Sequence, residues 1–118
     1  IVAYHTGHLY THVPAAASAW SDGDHPDHRS VGTLARSAWQ SIGFPADAVR
    51  YAVGYPSANQ PPNLSGETLA RKLAIFRVYA AQDPVVSCKT DAACLGLWRF
   101  GAWLQRSYLK TDAELFPG

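Results

Sequence analysis

Apolar residues first fall into a clear rhythm at Val31. Val31, Leu34, Ala35, Ala38 and Ile42 recur at three- and four-residue intervals, and Trp39 widens the stripe. With Ser30 in the N-cap position and Gly43 at the stop, the pattern predicts a helix over Ser30 to Ile42. Phe44-Pro45-Ala46-Asp47 opens a second, shorter predicted helix, Pro45 to Val53, ended by Gly54. The stretch from Tyr55 to Asn63, rich in Pro, Asn and Ser, predicts a surface loop. Ser65 then caps a helix with Glu67 in its first turn, bearing Leu69, Leu73, Phe76 and Ala80 on one face and ended by Asp83-Pro84. From Thr90 or Asp91 to Lys110 apolar residues surround more than one face, which predicts a central helix with Trp98, Phe100 and Trp103 in the core.

The first 28 residues lack such a period. Ile1 to Tyr4 fits a short strand, Pro14 to Trp20 a helix begun by its proline, and Asp22 to His28 a loop. The expected fold class is therefore mainly α: a single small domain, 1–118, of four to five helices. Its N-terminal segment, 1–29, is irregular or a short strand, its body spans 30–110, and 111–118 is a tail.

Composition narrows the classes. A chain of 118 residues supports one domain, and 47% apolar with 16% charged residues describes a folding chain. So low a charge leaves surface for a protein partner or a parent polypeptide. Ten Lys and Arg against nine Asp and Glu, a net charge of +1, argue against a dedicated nucleic-acid binder. No apolar run is long enough to span a membrane. A chain that starts at Ile1 and contains no methionine is expected to have been processed from something longer.

Two cysteines stand at Cys88 and Cys94. In one regular helix they would lie about 9 Å apart along the axis, out of reach of a disulfide. A bridge requires Cys88 in a loop folded back onto the first turn of a helix that holds Cys94. That pairing is the expectation, and it favours an extracytoplasmic protein. The other reading is two buried thiols in a reducing compartment.

The candidate chemistry lies in the segment without a period. All five histidines fall there, as His5, His8 and His12, then His25 and His28 within Asp22-Gly23-Asp24-His25-Pro26-Asp27-His28. Imidazole is the commonest metal ligand and titrates near neutral pH. His8 and His12 share a face in a helix or in a strand, so they form the expected metal pair, with His25 or His28 completing a three-ligand site with an open position. His5 joins only a helical version of that face. Asp24 or Asp27 would then orient a ligand or activate water, and the metal would be zinc or another divalent transition metal.

The leading expectation is thus a small, exported or processed domain with a histidine-based metal site and hydrolytic chemistry. One alternative is a non-enzymatic interaction or structural subunit that docks through its N-terminal segment and Pro-rich loop, with Tyr51 and Tyr55 facing the partner. A second is a metal-free, histidine-dependent phosphodiesterase or toxin-like domain, in which Arg36, Arg71, Lys72 or Lys89 supplies the cation.

Overall fold

In chain order the elements are strand β1 (Ala3–His5), strand β2 (His8–His12), helix α1 (Ser18–Ser21), helix α2 (Pro26–Ser41), strand β3 (Val49–Ala52), helix α3 (Gly66–Ala80), helix α4 (Asp91–Leu95), helix α5 (Phe100–Leu104), strand β4 (Leu109–Lys110) and helix α6 (Asp112–Leu115). They are those of a computed structural model, which describes residues 3–5 and 7–117, with side chains from residue 7 onward. Ile1 and Val2 of the expected first strand lie outside the described residues.

The expectation of a mainly α fold is corrected by a four-stranded sheet in the order β1-β2-β3-β4. β1 pairs antiparallel with β2, β2 parallel with β3, and β3 antiparallel with β4. The error lies mainly in Pro45 to Val53. Only Ala46–Ala48 coils, as a 3-10 turn, before the chain extends. Val49 and Tyr51 are fully buried while Arg50 and Ala52 are half-buried, so the operative period is two. β-branched and aromatic residues favour that pleated setting.

The chain divides into two compact units, Ile1–Ser57 with Tyr108–Gly118, and Ala58–Ser107. The first holds the sheet. Parallel strands need a crossover, and α2 supplies it between β2 and β3. The helix begins at Pro26, four residues before the expected start, because a proline's missing N–H costs nothing at the first position and His25 serves as N-cap. Its buried residues are Gly32, Ala35 and Trp39, whereas Leu34 and Ile42 of the expected stripe point to solvent. Gly32 decides how close the helix comes: a Cβ there would lie 2.7 Å from the carbonyl carbon of Val13 and 2.8 Å from the nitrogen of Pro14. The helix therefore rests directly on the backbone at the end of β2.

Val13, Ala17, Trp39, Val49, Tyr51 and Leu115 make this unit's core. Tyr51, expected at a partner-facing surface, is fully buried within it. Its hydroxyl accepts from Trp39 Nε1 at 3.1 Å and donates to Asp112 Oδ1 at 2.8 Å. Arg36 Nε donates to the same oxygen at 2.9 Å, so one carboxylate ties α6 to α2 and β3. The expected tail is thus partly a helix, with Thr111 and Glu114 forming a reciprocal capping box.

In the second unit α3 presents the expected stripe, with Leu73 and Ala80 buried and Leu69 and Phe76 packed beside them. The long helix expected from Thr90 to Lys110 is broken into α4, α5 and β4. Arg99 sits between them at φ 69°, ψ −57°, and Phe100 N donates to Trp98 O at 2.9 Å, which closes a γ-turn. The turn ejects Trp98, which is 81% exposed and not in the core. Cys88 and Cys94 form a disulfide with a Cα separation of 5.1 Å, Cys88 in a loop and Cys94 in α4. Among the described residues, no helix is long and apolar enough to cross a membrane.

Candidate functional site

The site forms where β2 ends, where α2 begins, and just beyond the end of β3. In open α/β sheets this carboxyl edge is where ligands bind, because connecting loops and helix N-termini converge there. β2 delivers His12 and the first turn of α2 delivers His25 and His28. Tyr55 follows β3 in the 3-10 turn Tyr55–Asn59.

His12 and His28 stack face to face, with ring centroids 4.3 Å apart and planes 5° from parallel. His28 also meets Tyr55 at 5.3 Å and His25 at 5.5 Å, both tilted. His28 is therefore the centre of a four-ring cluster.

Asp24 fixes that centre. Its side chain is fully buried, and Oδ1 lies 2.9 Å from His28 Nδ1 while accepting from His25 N at 2.8 Å. A carboxylate can only accept, so His28 carries a proton on Nδ1, and in the neutral ring the lone pair falls on Nε2. His25 is held the other way. Its Nδ1 accepts from Asp27 N at 3.0 Å, which leaves the proton on Nε2. Asp27 is exposed, with its carboxylate 3.8 Å from His25 Nδ1. The two imidazoles thus offer opposite chemistry: His28 an acceptor, His25 a donor.

The pKa of His12 lies below the ordinary histidine value of 6.5. Burial is the main cause, the neighbouring His28 adds to it, and Asp24 opposes it. His12 is accordingly neutral at neutral pH.

Asp24, His12, His25 and His28 are brought together from the sequence candidates, with Asp27 at the rim. His8 is not among them. It begins the strand that His12 ends, and four residues of strand separate the two by roughly 13 Å. Its ring meets Tyr10 edge-on at 6.2 Å, and among the described residues its buried Nδ1 has no hydrogen-bond partner. The side chain of His5 lies outside the described residues. Among the described residues, no group of three or more His, Cys, Asp or Glu is arranged to hold a metal ion.

Sequence reasoning missed Tyr55 as a neighbour of His28, for which position 55 carries no local signal. It also left Asp24 and Asp27 as equal candidates. The signal that separates them is Pro26: a helix started there puts Asp24 and His28 one turn apart at spacing four.

No family model, no curated protein and no solved structure matches this chain.

Proposed function

We propose that this chain carries a hydrolytic site centred on His28, which binds a divalent transition metal such as zinc through Nε2. The observation that carries the reading is the buried Asp24 carboxylate on His28 Nδ1. A carboxylate behind an imidazole fixes the tautomer and raises ligand basicity, the arrangement that metal-binding histidines use. His12, neutral and stacked alongside, is the second candidate ligand. His25 Nε2–H is the donor placed to stabilise negative charge as it develops on a carbonyl or phosphoryl oxygen. A bound metal would polarise that oxygen or lower the pKa of a bound water. The disulfide supports an extracytoplasmic setting for this chemistry.

A second reading follows from the stack. Parallel rings aim their in-plane lone pairs side by side, so one ion cannot lie in both ring planes without rotation of His12 or His28. That favours metal-free catalysis, with His28 as general base and His25 Nε2–H as the hydrogen-bond donor to the developing negative charge.

Elemental analysis of natively purified protein separates the two. Near-stoichiometric zinc, copper, nickel or cobalt that is lost in His28→Ala supports the metal site. Metal-free protein that takes up none on titration favours the metal-free reading.

A further inference from the structure

We propose that Gly54 is the positioning residue of the Asp24–His28 pair: bare backbone at position 54 is what allows the Asp24 carboxylate to sit on His28 Nδ1. This rests on the reading of His28 as the imidazole at the centre of the site.

Gly54 directly precedes Tyr55, just past the end of β3, and its φ is not in the left-handed region that ordinarily calls for glycine. Space is the reason for it instead. A Cβ at 54 would lie 2.9 Å from Oδ1, 3.0 Å from Oδ2 and 3.3 Å from Cγ of Asp24. All three nearest atoms belong to that one carboxylate, so it is the group that a side chain at 54 meets first. The carboxylate has little freedom to yield. It is fully buried, and Oδ1 is held from the other side by His25 N and His28 Nδ1. Among the described residues Oδ2 has no hydrogen-bond partner, and it would face the intruding methyl. Any residue larger than glycine therefore displaces the acceptor of His28 Nδ1. A neutral imidazole without that acceptor shifts its proton toward Nε2, and the lone pair offered to the site is lost.

The test is long-range 1H–15N NMR of the imidazoles in the wild-type chain, Gly54→Ala, Asp24→Ala and the double variant. The wild type shows His28 protonated on Nδ1, and Gly54→Ala shows it protonated on Nε2. Zinc affinity falls with it by about tenfold to a hundredfold, as for other lost partners of metal ligands. In the Asp24→Ala background the carboxylate that the methyl at 54 would meet is gone, so adding Gly54→Ala is expected to change neither the tautomer nor the denaturation midpoint. Retention of the Nδ1 proton in Gly54→Ala overturns the proposal. So does an equal loss of stability in both backgrounds, which would mark Gly54 as ordinary packing. Should Gly54→Ala alone fail to fold, a folded double variant supports the proposal and an unfolded one refutes it. A tautomer change in protein that binds no zinc upholds the role of Gly54 while removing the metal reading.

Discussion

Oδ1 of Asp24 stands 2.9 Å from Nδ1 of His28, one helical turn away, with the carboxylate sealed from solvent and the imidazole partly open. The acid is spent on orienting the base, and the outward nitrogen of His28 is left to react. Asp24→Ala should destabilise the fold by about 2 kcal/mol, the usual scale for a hydrogen bond to a charged group. Urea denaturation of wild type and variant measures it. Asp27→Ala, at an exposed carboxylate, should stay within about 0.5 kcal/mol of wild type.

A second, partly buried carboxylate serves the fold. Asp112 accepts from both Arg36 and Tyr51, and the Trp39 indole donates to the same phenol. Asp112→Ala should cost about 2–3 kcal/mol, because it strands a guanidinium and a buried hydroxyl together. Tyr51→Phe removes one hydroxyl and should cost about 1 kcal/mol. The same denaturation series tests the order, and a milder Asp112→Ala would contradict the network.

Burial, then the hydrogen bond to Asp112, pushes the Tyr51 phenol well above its ordinary pKa of 10.0. The folded chain therefore keeps a proton that the unfolded chain gives up. The stability linked to this is fully present below pH 10 and is lost as pH rises from there toward the folded value. Tyr51→Phe should flatten the alkaline limb of the stability curve relative to wild type. Identical limbs would show that Tyr51 ionises normally.

The disulfide closes a loop of seven residues, Cys88 to Cys94, worth roughly 2 kcal/mol on a chain-entropy estimate. Replacing both cysteines with serine should lower stability by about that amount. Hydrogen exchange should place the loss in α4 and the loop before it.

Arg99 holds a positive φ that a non-glycine residue adopts at a cost of about 1–3 kcal/mol. Its guanidinium lies 4.4 Å from the Trp98 ring, a contact worth about 0.5–1 kcal/mol at an exposed site. Relief outweighs that loss, so Arg99→Gly should be neutral to stabilising. A clear destabilisation would show that the turn is not strained.

Legibility in the sequence followed how local each signal was. The α3 stripe was readable because Leu69, Leu73, Phe76 and Ala80 sit on a helix packed along one face. The bridge between Cys88 and Cys94 was readable because helix geometry leaves one way to close it. β3 was not, since Val49, Tyr51 and Val53 alternate across residues that also satisfy a helical spacing, and pairing with β2 decides between them. The break at Arg99 depends on how α4 and α5 pack, for which neither residue 98 nor 99 gives a sign. Within the site, histidine clustering marked the right segment. The pairing of His8 with His12 ignored strand rise, and a helix started at Ser30 in place of Pro26 hid the turn that joins Asp24 to His28.

Zinc titration of 15N-histidine-labelled protein, followed at the imidazole nitrogens, tests the central claim most directly. The account predicts that His28 keeps its Nδ1 proton throughout while its Nε2 resonance shifts on binding, with saturation near one equivalent. Resonances of His28 that do not respond to zinc, or a metal-free His28 protonated on Nε2, would contradict it.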